Sequence, residues 1–491
     1  MTTSKVYRRT GLVERFFIAR QYLGFDSCVI VVAKYKNATS SNVRISKDEL
    51  FAAFAQVIRK NPVLAVRVKD EKNAKISSFE RVPKIDLNSI VTFVDENLED
   101  EKNFRSYLER QLVNVIPNSG EHPLWRLSVS ADNYLVYAWS HVIGDGQSGL
   151  SFHRLLLNAL NNPDASGEKG DLEEGIITVL DEDAGEMLPP LENITDLSVS
   201  LKTLLESVAG LIIPLSFVNR KVWSGYKTAS SVSPTEVPKA FLGGTVFLSP
   251  PEAAQLIALS RKHGATLTSV INIAGVSIVS KLLADRSKSK SKSKDQSSSK
   301  KFTKISTCIP VSLRPIAGVS NTAIGNIVST FNGKERLHPL TTNPDGSVVF
   351  PWAAAAACSK KLRKSVPKTR EYVGALKYLF NNYEGFYKGR LGAKRVGGLE
   401  VSNLGAFSVA ATSDEKVADA SSTDRWTIGR TCFTQSDVVL GPALKLSTCG
   451  DPEGGVNIVV SWGEGAVDNE FAEAFVQEFQ TLFANLAKSD T

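Results

Sequence analysis

His141-Val142-Ile143-Gly144-Asp145-Gly146 lies between a strongly β-type segment and a helical one, and its reading decides the fold. Upstream, residues 125–130 and 134–141 are apolar-rich runs separated by Ala131-Asp132-Asn133, the pattern of a hairpin with a short polar turn. Downstream, Leu150, Leu156, Leu157 and Leu160 fall near helical spacing, which predicts a helix starting close to Ser148. Strand alternation puts Leu135, Tyr137, Trp139 and His141 on one face, so the histidine is expected to end a buried aromatic row. An imidazole placed there is dry and firmly held, yet can still reach a cavity. The competing reading is structural, a strand-ending histidine capped by a turn aspartate. The other histidines carry less: His122 precedes a proline, His153 lies within a helix, His263 ends one before Gly264, and His338 is in a proline-containing loop.

A chain of 491 residues exceeds one compact core, so two domains are expected. Apolar residues make up 42% and charged residues 22%, an ordinary globular balance. There is no run of 18 apolar residues, so no bilayer span is expected, and the polar, basic start (residues 1–10) lacks the apolar core of a secretory signal. Cys28, Cys308, Cys358, Cys432 and Cys449 form no C-x-x-C pair, which points to reduced thiols in a cytosolic compartment and away from a zinc site or disulfide framework. The net charge of +7 invites a nucleic-acid reading, but residues 286–301 hold seven basic residues and one acid, so they alone supply +6. That Lys/Ser segment is expected to be a disordered surface loop, and without interleaved aromatics it offers bases no stacking platform. A weak contact with an anionic membrane surface stays open.

The chain divides by composition into a first lobe (residues 1–163), a crossover linker (164–238) and a second lobe (239–491). The first lobe opens with a helix-like stretch (12–23), a β-type run (26–34) and a second helix (47–60) ending before Asn61-Pro62. The crossover contains one apolar helix near 201–217, whose 209–218 portion is a weak candidate for lipid contact; Pro214 and its short length favour ordinary packing. In the second lobe a strand (244–248) leads to Pro250-Pro251, which starts a helix stopped by Gly264. An apolar helix (268–284), a β-type run (304–311) delivering Arg314-Pro315, and strands near 399–401, 426–433 and 456–462 follow. Phe471, Phe475, Phe479 and Phe483 stripe a terminal helix and read as core packing.

No metal-ligand set, G-x-S-x-G elbow, P-loop or G-x-G-x-x-G pattern is present, so neither a metal nor a permanently bound cofactor is expected. A well-placed histidine without a nearby Ser or Cys nucleophile favours general-base chemistry, in which imidazole deprotonates a hydroxyl or amine as it attacks an activated acyl carbon. A thioester donor needs no covalent enzyme intermediate, because its thiol already leaves well. The tetrahedral oxyanion needs a hydrogen-bond donor.

Four short motifs occur in order: Pro123-Leu124-Trp125, His141-x-x-x-Asp145-Gly146, Pro310-Val311-Ser312-Leu313-Arg314-Pro315 and Val401-Ser402-Asn403-Leu404-Gly405. Together they resemble the CoA-dependent acyltransferase superfamily, which includes chloramphenicol acetyltransferase, the plant BAHD enzymes and peptide-synthetase condensation domains. The opening Arg9-x-Gly11-x-x-Glu14-Arg15 and the overall length look like its fungal alcohol O-acetyltransferase family. Two features depart from other branches. Ser140-His141 replaces the paired histidines usual in condensation domains, and Ser461-Trp462-Gly463 is only an echo of the BAHD D-F-G-W-G motif.

The resemblance implies an α/β fold of two similar chloramphenicol-acetyltransferase-like domains, with mixed sheets flanked by helices and a channel between them. It implies His141 as base, Asp145 as a structural residue followed by Gly146, and Arg314 as the partner of Asp145. Ser402 and Asn403 become oxyanion or tunnel candidates. The expected reaction is transfer of acetyl from acetyl-CoA, a co-substrate, to the hydroxyl of a small alcohol or hydroxylated metabolite. An amine acceptor and a non-catalytic metabolite-binding protein are the alternatives. The expected setting is a cytoplasmic monomer, with a peripheral place at an intracellular membrane or lipid droplet left open and no nucleic-acid partner.

Overall fold

A computed structural model describes residues 5–40, 43–163, 172–179, 185–212, 219–292, 302–343, 348–409, 425–436 and 439–488. Two mixed sheets dominate it. The first has five strands, β1 (Val29–Asn37), β2 (Val91–Phe93), β3 (Trp125–Val129), β4 (Tyr134–Trp139) and β10 (Trp426–Gln435), in the order β10-β1-β4-β3-β2. The second has seven: β5 (Val222–Trp223), β6 (Ala240–Leu248), β7 (Lys304–Ser312), β8 (Val328–Arg336), β9 (Leu399–Asn403), β11 (Leu444–Gly450) and β12 (Val456–Gly463). Their order is β5-β7-β9-β11-β12-β6, with β8 paired to β7. β10 comes from the second half of the chain but pairs with β1 in the first sheet, so the expected second lobe lends a strand to the first.

One face of the first sheet packs on α1 (Leu12–Tyr22), α2 (Lys47–Lys60) and α4 (Gly146–Asn161), and the other on α3 (Glu101–Val113). Because both faces are covered, β4 is buried throughout and reads in sequence as an unbroken apolar run. Its side chains still alternate: Leu135, Tyr137 and Trp139 join the α2/α4 core, whereas Tyr134, Val136 and Ala138 join the core beneath α3. Tyr137 stacks on Phe152 of α4 with ring centroids 3.7 Å apart, and Trp125 on Phe54 of α2 at 5.3 Å. Each such aromatic contributes roughly 1.5–3 kcal/mol by burial, so the hairpin that carries the histidine is among the most firmly seated parts of the molecule.

The second sheet packs one face on α5 (Pro250–Lys262), α6 (Leu267–Lys292), α7 (Trp352–Ser365) and α8 (Asn469–Leu486). Phe471, Phe475, Phe479 and Phe483 are all buried there, as expected. By length and composition 267–288 could cross a membrane, but Val270, Ile271, Ile273, Ala274, Val276, Ile278 and Val279 sit in this core. α6 also continues through Lys292, so residues 286–292 are helical where a disordered loop was expected; residues 293–301 lie outside the described residues. The reason is propagation, since a long helix already nucleated on the core extends through Lys and Ser at little cost. The crossover helix spans Leu201–Ile212, and the remainder of the expected 209–218 segment lies outside the described residues.

Candidate active site

The strand bearing the histidine ends earlier than its apolar pattern predicts. β4 stops at Trp139, which pairs with Val29 and Trp125, the first residues of β1 and β3; no strand remains to pair beyond it. Ser140 donates its N–H to the Leu124 carbonyl, and residues 141–143 form a turn. His141 therefore leaves the aromatic row. Its ring stacks instead on Phe17 of α1, with centroids 3.7 Å apart and planes 10° from parallel. Trp139 fixes the far side of the turn, donating Nε1–H to the Gly144 carbonyl at 2.9 Å.

The helix after the turn begins at Gly146 rather than near Ser148, because Asp145 is its N-cap. Asp145 Oδ1 accepts from the Ser148 N–H and hydroxyl, each at 3.2 Å. Oδ2 accepts from Arg314 Nη1 at 2.6 Å and from the Ile327 N–H at 3.0 Å. Arg314 is fully buried, and its Nη2 also donates to the Ala323 and Gly325 carbonyls. Through Arg314 and Ile327 the carboxylate ties the turn to the second half of the chain. Gly146 has a steric role: a Cβ there would meet Leu404 Cδ2 at 2.5 Å. Gln147 Nε2 donates to the Leu404 carbonyl, so the Val401–Gly405 motif docks on the start of α4.

Asn326 is the site residue that motif reasoning missed. Its Nδ2 donates to the carbonyls of His141 (2.7 Å) and Val142 (2.8 Å). Two carbonyl acceptors fix which end of the amide is nitrogen, so Oδ1 is the atom 3.3 Å from His141 Nδ1. An amide oxygen only accepts, so Nδ1 carries the proton and the Nε2 lone pair is free. Nε2 makes no hydrogen bond to the described residues, and His141 as a residue is half-buried. Burial lowers the imidazole pKa, Arg20 lowers it further, and Asp26, the backbone of His141 and Asp145 act against them. Asn326 lies 185 positions from His141 and matches no motif, so only the fold could reveal it.

Ser402 and Asn403 separate by strand alternation. Leu399 and Val401 enter the α6 core, and Asn403 follows them, donating Nδ2–H to Thr268 Oγ1 at 3.0 Å and accepting the Gly405 N–H at 2.8 Å. Both ends of its amide are thus engaged in structure. Ser402 shares the opposite face with Glu400, whose carboxylate accepts from Gln435 of β10 at 2.5 Å, and so looks toward the first lobe. Neither residue hydrogen-bonds to His141. One cleft, bordered by Ile143 and Asn326, adjoins the histidine turn; a second, bordered by Asn403, Thr266 and Thr448, includes no residue of that turn. His153 proves structural, enclosed between Tyr35 and the Val31 carbonyl, and burial depresses its pKa to about 4.

The family model described as alcohol acetyltransferase matches residues 9–486. A probable alcohol acetyltransferase, crmB of Aspergillus fumigatus, is 25% identical and aligns over 94% of this chain and 96% of its own. A probable alcohol acetyltransferase of Fusarium pseudograminearum, FCK4, is 21% identical over 92% and 88%. Among solved structures, the TRI3 trichothecene 15-O-acetyltransferase of Fusarium sporotrichioides shares the fold at 12% identity, with a TM-score of 0.67 over 98% of this chain and 95% of that one. The condensation domain of the MokA polyketide synthase superposes with a TM-score of 0.56 at 12% identity, over 99% and 98%. The fold is thus the two-domain one of chloramphenicol acetyltransferase and condensation domains. The chain belongs to the alcohol acetyltransferase family and is an acyltransferase.

Proposed function

We propose that this protein transfers the acetyl group of acetyl-CoA to the hydroxyl of a small alcohol or hydroxylated metabolite, with His141 as general base. The observation that carries the reading is the fixed Asn326 amide, which leaves His141 Nε2 unprotonated and without a partner among the described residues. In the reaction Nε2 takes the hydroxyl proton as the alcohol oxygen attacks the thioester carbonyl. The tetrahedral oxyanion then collapses, the carbon–sulfur bond breaks, and the leaving CoA sulfur receives the proton from the imidazolium. No permanently bound cofactor takes part, and acetyl-CoA acts as a co-substrate. We assign the oxyanion donor to Ser402, since it faces the first lobe while Asn403 is held in structure. Asp145 and Arg314 act by holding the turn.

Acetyl-CoA incubated with a library of alcohols and matched amines, followed by mass spectrometry of the products, tests the reading. O-acetylated products, released with free CoA and lost in His141→Ala, are expected. Acetylated amines alone would move the assignment to N-acetyl transfer. Acetyl-CoA binding by calorimetry without product from any acceptor would favour a non-catalytic metabolite-binding protein.

A further inference from the structure

Behind the imidazole lies an arrangement that the general-base reading does not use. Phe17, which stacks on His141, is followed one helical turn later by Arg20, whose guanidinium lies 5.6 Å from the Phe17 ring centroid. Arg20 Nη2 pairs with Asp26 Oδ2 at 2.8 Å, and both side chains are largely buried, 12% and 3% exposed. The pair is anchored further. Asp26 Oδ1 accepts from the Ser27 N–H at 3.0 Å and from the Ser436 hydroxyl, and Lys445 Nζ donates to the Ser436 carbonyl at 3.0 Å. Ser436 follows β10 and Lys445 lies on β11, so the ion pair near the imidazole is held by the segment that joins the lobes.

We propose that the Arg20–Asp26 ion pair, acting through the Phe17 ring, positions His141 and sets its protonation, which makes Arg20 a positioning residue of the reaction. This rests on the general-base reading. Such an ion pair is costly to bury without a function or a full set of partners. Here its cation opposes protonation of the imidazole and its anion favours it, so the balance between them tunes the base. The charged groups facing His141 are Arg20 and Asp26 from the first helix and the loop after it, and Asp145 from its own turn, itself neutralised by Arg314. Asn326, which holds Nδ1, is uncharged.

Arg20→Gln removes the opposing cation and leaves the Asp26 carboxylate unpaired, so the imidazole becomes more basic. Asp26→Asn does the reverse. Arg20→Lys keeps the charge and should behave like the parent chain. The first measurement is titration of the His141 resonance by NMR in the full-length protein, assigned by its loss in His141→Gln; it does not depend on turnover. The expected result is an upward midpoint shift in Arg20→Gln of about one pH unit, a downward shift in Asp26→Asn, and none in Arg20→Lys. The acid limb of kcat/KM should move with it, giving about a tenfold loss in Arg20→Gln on the acid limb and little change above pH 8. Folded Arg20→Gln and Asp26→Asn proteins whose His141 midpoint stays at the parent value would overturn the proposal. Midpoints that shift as expected while acetyl transfer is unaffected by His141→Ala would keep the tuning device and reject the base.

Discussion

At the scale of single residues, the chemistry comes down to one lone pair. Asn326 holds it open by a chain of constraints: two backbone carbonyls orient the amide, the amide oxygen claims Nδ1–H, and Nε2 is left for substrate. Asn326→Ala should therefore lower kcat by roughly tenfold to a hundredfold, a part of what general-base catalysis is worth, while KM for acetyl-CoA changes little. Steady-state kinetics of the folded variant measure this split. Because burial and Arg20 lower the His141 pKa, the acid limb of kcat/KM is expected below the ordinary histidine value of 6.5, with activity falling as pH drops through it. His141, Asp145, Gly146 and Arg314 were legible in the sequence because motif order preserves them. Asn326, Phe17 and Arg20 were not, because the links that bring these three to His141 leave no motif in the sequence. Strand alternation did reach a finer point, dividing Ser402 from Asn403 once the face of β9 was known.

Secondary-structure elements show why the turn is so stiff. α4 is tied to β1 by His153, which accepts nothing from solvent and stays neutral, its pKa pushed down to about 4 by burial. Above pH 6.5 both folded and unfolded chains are neutral at this site. As pH falls the unfolded chain takes up the proton first, so stability is lost between 6.5 and about 4. The loss amounts to about 3 kcal/mol over that whole window. Urea unfolding at pH 7 and pH 5 should show His153→Gln to be less acid-sensitive than the parent chain. The opposite end of α4 depends on Gly146. Gly146→Ala should cost about 1–3 kcal/mol by displacing Leu404, and Leu404→Ala in the same chain should recover part of it. Helices with clean punctuation were legible before the fold was seen: 47–60 matches in full, and Pro250 and Gly264 bracket another. β11 went unseen, because Lys445 and Ser447 are polar yet buried on the face turned toward the other lobe, so the segment lacks the apolar signature of a core strand.

For the molecule as a whole, the lobes are not independent. β10 closes one edge of the first sheet, and Arg314, Asn326 and Leu404 from the second half complete the turn that carries His141. Arg314→Ala leaves a buried carboxylate without its cation and should destabilise the protein by about 3–5 kcal/mol. Arg314→Lys should rescue little of this in thermal unfolding, because a single Nζ cannot occupy the separate positions from which Nη1 serves Asp145 and Nη2 serves the Ala323 and Gly325 carbonyls. Residues 1–238 expressed alone would lack β10 and expose the β1 edge, so size-exclusion chromatography should find them aggregated rather than as a folded monomer. Two domains were expected from chain length, but the exchanged strand was not, since nothing in residues 426–435 says which sheet they join.

The central claim is that a neutral His141 drives acetyl transfer from acetyl-CoA to a hydroxyl. It is tested most directly by the rate of CoA thiol release with the best alcohol acceptor, comparing the parent chain with His141→Ala at equal folded concentration. A fall in kcat of roughly a hundredfold to ten-thousandfold, with acetyl-CoA still bound, is the predicted result. An alanine variant that releases CoA into ester product at the parent rate would contradict it.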